Sequence, residues 1–297
     1  MYIINTERKH MKKIFALLMV CALFLGTAPA LGEVFVDKDV PADWETRDLL
    51  RITVFRTGES DCMLLEAGGE CMMVDGGAKP WREKLRDALN ARGITHFKYI
   101  YNTHPHDDHI DGLYYLLQYG FTADEFVSIF AKDFRNDLHK RTVKEVDKAG
   151  IPYRQLQIGD VLTLGEATLT VYRWPEGKTI NDLSTLTKLV YKDASALLTA
   201  DITGLAQRYF MDTLDHEIIK ADVAKFPHHG LTPFVTEFLD IVNPDFLWAT
   251  NNNSDEVRKA KNQIANRKLP AKFSGEGTIT LETDGTDWYI SQTLKQF

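Results

Sequence analysis

The stretch that decides the fold is Thr103-His104-Pro105-His106-Asp107-Asp108-His109-Ile110-Asp111-Gly112. It crowds three histidines and three aspartates together directly after an apolar run at residues 97–101, which predicts a β-strand. Neutral imidazole nitrogens and ionised carboxylate oxygens are ordinary ligands of zinc and related metals, so the stretch predicts a metal-binding loop. The alternative is a polar loop between a strand and a helix, in which an Asp or Thr caps the helix.

Length and composition predict a globular protein with a substantial core. The chain has 297 residues, enough for one large α/β domain or two small ones. Hydrophobic residues make up 44% and charged residues 26%, as is typical of globular domains. No internal repeat, low-complexity linker or basic run interrupts the chain.

The first thirty residues predict a signal peptide. Lys12 and Lys13 precede an apolar run at residues 14–25, which is too short for a membrane span, and an Ala-x-Ala cleavage site ends at Ala30. Residues 1–30 are therefore expected to be removed, and residues 31–297 to form one secreted or extracytoplasmic domain. Cys21 follows Val20 rather than a small residue, so we expect neither a lipid anchor nor any stable membrane anchor after cleavage.

Net charge argues against a long polyanionic partner. The formal charge is −7, and removal of residues 1–30 leaves 31 basic and 41 acidic side chains, a charge of about −10. Nucleic-acid binding depends on Lys and Arg that neutralise phosphates, so nucleic acid is a disfavoured partner. A single phosphate group beside a metal is still compatible with this charge.

Local patterns predict the elements around the metal-binding loop. Apolar spacing predicts helices at residues 81–92 and 113–119, and residues 121–150 look helical and charged. Residues 62–66 and 71–74 predict a β-hairpin that turns at Gly68-Gly69 and places Cys71 opposite Glu66 and Cys62 opposite Asp75. This register does not join Cys62 to Cys71, so we expect two free, buried thiols.

The spacing H-x-H-x-D-H resembles motif two of the metallo-β-lactamase superfamily. The resemblance implies an α/β fold, the four-layer αββα sandwich. It also implies that His104 and His106 bind one metal ion, and that Asp108 and His109 bind a second.

Three further segments extend the resemblance to the ComEC-like branch of the superfamily. Val74-Asp75-Gly76-Gly77 matches motif one, in which Asp75 supports the ligand loop through hydrogen bonds. Ala200-Asp201 matches motif four, usually Gly-Asp, and implies that Asp201 bridges the two metals. Pro227-His228-His229-Gly230 matches motif five, with His229 assigned to metal and His228 to substrate.

The sequence departs from the superfamily pattern in two places. Many members carry another histidine about sixty residues past the ligand loop, whereas only His139 lies between His109 and Asp201. ComEC-type domains also lack this histidine, and Asn181 or Asp182 is a candidate to compensate. Leu231 stands where Ser is common, so a hydroxyl contact to the site is expected to be missing.

The expected cofactor is zinc, as one or two ions, with manganese as an alternative. The expected function is that of an exported hydrolase, most plausibly a phosphodiesterase that uses metal-bound hydroxide on a small-molecule or cell-wall-linked phosphodiester. Asp108 and His228 are the candidate catalytic residues. Asp108, with Asp107 as the alternative, is expected to orient water or move a proton, and His228 to stabilise negative charge. The alternatives are a nuclease related to the ComEC domain, a lactonase or β-lactamase, and a non-catalytic metal-binding module.

Overall fold

Two β-sheets form the centre of the molecule in the computed structural model, which describes residues 32–252 and 254–297. Residues Glu33–Phe297 form one compact unit. The strands within the described ranges are β1 (Val34–Val36), β2 (Leu50–Val54), β3 (Cys62–Ala67), β4 (Glu70–Gly76), β5 (His96–Asn102), β6 (Thr122–Ser128), β7 (Tyr153–Gln155), β8 (Val161–Leu164), β9 (Ala167–Tyr172), β10 (Leu186–Tyr191), β11 (Ala194–Leu198), β12 (Val223–Lys225), β13 (Phe246–Ala249), β14 (Ala271–Phe273), β15 (Gly277–Thr283) and β16 (Trp288–Leu294). The first sheet has the order β1-β16-β15-β2-β3-β4-β5-β6-β7, and the second has the order β14-β13-β12-β11-β10-β9-β8.

Helices cover the outer faces of both sheets. They are α1 (Arg82–Ala91), α2 (Asp107–Gln118), α3 (Asp137–Lys148), α4 (Gly204–Thr213), α5 (His216–Ile219), α6 (Thr236–Val242) and α7 (Arg258–Arg267), with 3₁₀ turns at Trp44–Thr46, Lys79–Trp81, Pro227–Gly230 and Ser274–Glu276. No helix in the described ranges combines the length and apolarity that crossing a membrane requires.

Side-chain alternation along the strands separates the buried residues into three layers of core. In β3, Met63 and Leu65 point between the two sheets, whereas Cys62 and Leu64 point toward the helices on the first sheet. α1 packs on the same outer face through Leu85 and Leu89, whose burial contributes about 2 kcal/mol each. α4, α6 and α7 pack likewise on the second sheet. The predicted four-layer αββα sandwich is therefore confirmed.

Two sequence predictions around the ligand loop are corrected. α2 begins at Asp107, six residues before the predicted helix, so the second half of the loop forms its first turn. Thr122–Ser128, expected to be helical, is strand β6 and pairs in parallel with β5. The apolar residues Phe126 and Val127 lie in the sheet between two neighbours, and this burial outweighs the local helical pattern.

The predicted hairpin is confirmed, and Cys71 pairs with Glu66 as expected. A β-bulge between Cys62 and Met63, at the end of the hairpin away from the turn, shifts the register there. Cys62 therefore lies opposite Gly76 rather than Asp75. Both cysteines are free, as expected. Cys71 is only half-buried, and it is the second residue of β4, close to the turn at Gly68-Gly69. The predicted signal peptide at residues 1–30 lies outside the described residues.

Helix α2 and strand β4 approach each other through two glycines. Gly112 lies against Gly76, and the amide of Gly112 donates to the carbonyl of Gly77 at 2.9 Å. A Cβ at Gly112 would lie 1.8 Å from the carbonyl oxygen of Gly76. This contact holds the start of α2, and with it Asp108 and His109, close to the end of β4.

We predict that Gly112→Ala lowers the free energy of unfolding by roughly 1–3 kcal/mol, because backbone atoms must move to admit the methyl group. Urea unfolding followed by circular dichroism measures the change. Gly204→Ala is the matched control, since a Cβ there meets only Cγ2 of Val235, at 3.7 Å. Equal stability of the two variants would contradict the close packing of α2 on β4.

Candidate metal centre

Four strands end at one edge of the sandwich and are followed by polar segments. β4 leads through Asp75 into Gly76-Gly77, and β5 leads into Thr103-His104. In the second sheet, β11 is followed by Asp201 and β12 by Pro227-His228-His229-Gly230. β4 and β5 run parallel, as do β11 and β12, so the carboxyl ends within each sheet lie side by side. Segments from the first sheet contact segments from the second, as the contacts of His104 and His109 with Asp201 show.

The first cluster consists of His104, His106 and Asp201. Nε2 of His104 lies 3.1 Å from Nδ1 of His106 and 3.6 Å from Oδ2 of Asp201. One ligand atom from each residue falls within 4.8 Å of the others, which is the geometry of a group able to hold one metal ion.

The second cluster consists of Asp61, His109, Asp201 and His229, with Asp108 beside it. Nε2 of His229 lies 2.9 Å from Oδ2 of Asp108 and 3.4 Å from Oδ2 of Asp201. Nε2 of His109 lies 3.3 Å from Oδ1 of Asp201 and 3.3 Å from Nε2 of His229. Asp201 is thus shared by both clusters, since its Oδ2 faces His104 and His229 and its Oδ1 faces His109.

The buried carboxylate of Asp201 fits a bound cation. Both of its oxygens are buried and have no hydrogen-bond partner among the described residues. Around it the imidazole nitrogens of His109 and His229 face each other, although two such nitrogens share at most one proton. An unsatisfied buried carboxylate is costly, and a divalent ion between these nitrogens and oxygens removes the cost. The residues present therefore fit one metal ion in each cluster.

Electrostatics favours positive charge at the same place. Burial alone would lower the pKa of His109 and His229, but the nearby carboxylates, above all Asp201, raise both values well above the ordinary one. Burial lowers the pKa of His104 well below its ordinary value, which leaves the neutral imidazole that a metal requires. Despite its burial, Asp201 has a lowered pKa, because His229 and His109 stabilise its ionised form.

Asp75 lies behind the ligands and holds two of their segments. Its Oδ2 accepts from the Thr103 hydroxyl at 2.6 Å and lies 2.8 Å from Nδ1 of His109. Its Oδ1 accepts from the Thr103 amide at 2.9 Å and from the Asn102 side chain at 3.0 Å. The contact at Nδ1 leaves Nε2 of His109 directed into the second cluster, which is the arrangement that the predicted supporting role requires.

A sequence model of the metallo-β-lactamase superfamily matches residues 56–245, a span that contains all residues of both clusters. The chain belongs to the metallo-β-lactamase superfamily.

Solved structures agree with this membership at the level of the fold. The metallo-β-lactamase fold protein YhfI from Bacillus subtilis has a TM-score of 0.54 and 15% identity, covering 80% of this chain and 100% of that one. CmlA, a diiron β-hydroxylase from Streptomyces venezuelae, has a TM-score of 0.51 and 11% identity. That match covers 80% of this chain and 53% of CmlA. A comparison with curated protein sequences finds no match.

His228 lies at the opening of this metallo-β-lactamase site. Its side chain is 32% exposed, whereas that of His229 is fully buried, and its Nε2 lies 3.7 Å from Oδ2 of Asp201. Nδ1 of His228 lies 3.2 Å from the hydroxyl of Thr232. A hydroxyl contact was expected to be missing because Leu231 replaces Ser, but Thr232, the next residue, places a hydroxyl beside His228. Burial also lowers the pKa of His228.

Two candidates for the missing third histidine, His139 and Asp182, do not enter the clusters. His139 is buried against Phe134 and Tyr153, and its Nε2 lies 3.0 Å from the carbonyl oxygen of Ala131. Asp182 accepts from the hydroxyl of Thr203 and from two amides of its own loop, which occupies both of its oxygens. The side-chain oxygen of Asn181 is buried without a hydrogen-bond partner among the residues that the structure describes, so Asn181 stays a candidate. The first cluster itself comprises His104, His106 and Asp201.

Sequence reasoning missed two buried residues of this site, Asp61 and Lys225. Both side chains are fully buried, and Nζ of Lys225 lies 2.9 Å from Oδ2 of Asp61. A signal was present, since Lys225 ends the otherwise apolar strand β12 directly before the His-His motif. A lysine is rarely buried unless it is paired, so its position predicted a carboxylate partner.

We predict that Asp201→Asn reduces the bound metal by at least one ion per chain, because the shared carboxylate loses its charge. Elemental analysis after gel filtration gives the ratio of metal to protein. Asp182→Asn is the control, and we expect it to retain the metal content of the parent. Loss of metal in both variants would show that the effect is not specific to the clusters.

Proposed function

We propose that this chain is an exported, metal-dependent phosphodiesterase of the ComEC-like branch, acting on a small or cell-wall-linked phosphodiester. Water cleaves the ester to give a phosphomonoester and an alcohol. The observation that carries the proposal is the buried, hydrogen-bond-free carboxylate of Asp201, shared by two clusters of imidazoles. Export is supported by the sequence of residues 1–30 alone.

The ligands divide the chemistry between the two clusters. When bound, zinc ions, or manganese ions in their place, would activate water and stabilise negative charge on the phosphate oxygens. Asp201 would contribute to both sites, since its oxygens face ligands of both clusters. Asp108 is open to solvent with 26% of its side chain, so it serves both as a ligand and as an acceptor that orients the attacking water.

His228 supplies the contact to the reacting phosphate from the open side. It is placed next to Asp201 and exposed enough to reach a substrate oxygen, whereas His229 is enclosed by the second cluster. A hydrogen bond from His228 to an equatorial phosphate oxygen strengthens as charge develops in the transition state. This division keeps the sequence assignment of His229 to metal and His228 to substrate.

Arg173 carries a positive charge that suits an anionic substrate. One guanidinium nitrogen donates to the carbonyl of Ile129 at 3.4 Å, and its Nε is buried without a hydrogen-bond partner. Within residues 32–252 and 254–297 no carboxylate forms an ion pair with it, and burial lowers its pKa. Guanidinium groups bind phosphate oxygens through paired hydrogen bonds, so Arg173 supports a phosphodiester over a neutral lactam or lactone.

The register of the sheets locates Arg173 at the metal edge. Arg173 follows β9, whose last residue Tyr172 pairs with Leu186 at the end of the second sheet from which Asp201 emerges. In the first sheet, Ile129 follows Ser128, which pairs with Asn102 at the end of β5. Arg173 and the ligand loop thus lie at the same edge of the sandwich.

The proposal is tested by the release of nitrophenol from bis(4-nitrophenyl) phosphate. We expect turnover that EDTA abolishes and that added Zn²⁺ or Mn²⁺ restores. Single-stranded DNA and nitrocefin are assayed in parallel. Faster turnover of DNA would favour a nuclease, and turnover of nitrocefin a β-lactamase. Bound metal without turnover of any ester would leave a binding module.

We predict that His228→Ala lowers kcat for the phosphodiester about 100-fold or more while the metal content stays unchanged. Under the same conditions, His229→Ala is expected to lose metal as well as activity. Steady-state kinetics together with elemental analysis separates the two variants. Metal loss from His228→Ala with retention in His229→Ala would reverse the two assignments.

We predict that Arg173→Met raises KM for the anionic diester roughly 10-fold, because a charge-assisted hydrogen bond contributes about 1.5–3 kcal/mol. Arg86→Met, on the outer helix α1 and paired with Asp87, is the control and should leave KM unchanged. An unchanged KM in Arg173→Met would remove this residue from the substrate site.

A further inference from the structure

The ammonium group of Lys225 lies among three buried oxygens. Its Nζ lies 2.9 Å from Oδ2 of Asp61, 2.9 Å from the carbonyl oxygen of Ala200 and 3.1 Å from the carbonyl oxygen of Phe226. The side chain has no exposure to solvent. The ammonium donates hydrogen bonds to the two carbonyls and forms an ion pair with Asp61.

Both carbonyl acceptors of Lys225 belong to segments that carry a predicted metal ligand. Ala200 directly precedes Asp201, the carboxylate shared by the two clusters. Phe226 leads into the turn Pro227–Gly230, which carries His229. The ammonium group therefore ties together the ends of β11 and β12 at the point where each releases its ligand.

Asp61 connects the same ammonium group to the remaining ligands. Its Oδ1 lies 3.1 Å from Nδ1 of His229 and accepts from the hydroxyl of Thr250 at 2.5 Å. Its backbone amide donates to the carbonyl of Asp108 at 3.2 Å. Asp61 thus orients His229 from behind and fixes the start of α2 from the side.

The carboxylate of Asp61 is close enough to the second cluster to be counted among its metal-binding groups. Two observations assign it a different role. The ammonium of Lys225 already lies against Oδ2, and a divalent cation there would be repelled at short range. Oδ1 is taken up by His229 and Thr250. Asp108 instead supplies the oxygen that faces Nε2 of His229.

We infer that Asp61 and Lys225 form a buried ion pair that positions Asp201 and His229 for metal binding, without either residue being a ligand. The inference rests on the metal centre of the proposed function and is independent of its substrate. Buried ion pairs commonly contribute little net stability compared with apolar replacements, so a positioning role accounts for this pair better than a purely stabilising one.

The backbone that the pair holds is strained. Ala200 has φ of +39°, His228 +48° and His229 +55°, and none of them is glycine. Left-handed conformations of this kind cost of order 1–3 kcal/mol each and persist only where the surroundings enforce them. Lys225 binds the carbonyl of Ala200 itself, and the amide of His228 donates to that same oxygen at 2.9 Å. The ion pair therefore anchors the strained turns that present Asp201 and His229.

The test measures metal binding directly in three variants of the full chain. Lys225→Met removes the charge at similar length, Asp61→Asn removes the partner charge, and Asp222→Asn is the matched control. Asp222 precedes β12 at the opposite end and contacts Ser195 and Trp288, away from the ligands. Zn²⁺ affinity is obtained by competition with a chromogenic chelator, and the d–d absorption of the Co²⁺ form reports ligand geometry.

We expect Lys225→Met and Asp61→Asn each to weaken Zn²⁺ binding about 10–100-fold and to change the Co²⁺ spectrum, as is usual when a partner of a ligand is removed. Asp222→Asn should keep the affinity and spectrum of the parent even if its unfolding midpoint falls. These readouts do not depend on catalysis, so a protein without phosphodiesterase activity would still give a result.

Two outcomes overturn the inference. Parental affinity and spectrum in Lys225→Met and Asp61→Asn would reduce the pair to a stabilising contact. The second outcome is tighter metal binding in Lys225→Met together with the loss of an ion in Asp61→Asn. It would show that Asp61 is a metal ligand and that Lys225 competes with the metal for its carboxylate. If Lys225→Met does not fold, Lys225→Gln keeps donors for the two carbonyls without the charge, and the same two outcomes apply to it.

Discussion

The structure depends on placing four carboxylates, those of Asp61, Asp75, Asp108 and Asp201, at one edge of a sandwich whose interior is otherwise apolar. Three of the four side chains are buried, and an unpaired buried charge is costly. Each is compensated differently. Asp61 faces an ammonium group, Asp75 accepts several hydrogen bonds, and Asp108 lies against His229 at the surface. Asp201 has only imidazole nitrogens around it, so a cation is the compensation that completes the set.

The αββα sandwich makes this arrangement attainable because it joins rigid strands to short, irregular segments. Inside the strands, alternation buries mainly apolar side chains on both faces. Where the strands end, the chain is free to adopt conformations such as the positive φ of Asp75, Ala200 and His229. Strained backbone therefore occurs at the edge where the ligands are presented, and the packed layers behind that edge offset its cost in stability.

Local sequence predicted those parts of the site that lie close together in the chain. His104, His106, Asp108 and His109 fall within one loop and turn, so their spacing alone indicated metal binding. The boundary of α2 was wrong because its first turn is built from the ligands themselves. The helix predicted at residues 121–150 was wrong over β6, because burial between two neighbouring strands decides the conformation of that segment. Asp61 was missed for a related reason, since its partners Lys225 and His229 are more than 160 positions away, as the separation of 168 from His229 shows. Pairings over such distances are fixed by the tertiary fold and not by any local pattern.

The metal centre also joins the two halves of the molecule. His104, His106, Asp108 and His109 extend from the first sheet, whereas Asp201 and His229 extend from the second. Between the sheets the contacts at this edge are polar, such as the hydroxyl of Tyr101 against Thr185 and Thr187. A divalent ion held by ligands from both sheets therefore acts as a cross-link across the sandwich. Because such a site does not exist in the unfolded chain, the free energy of metal binding adds to the free energy of folding. The residues that carry the chemistry are in this way also residues that close the fold.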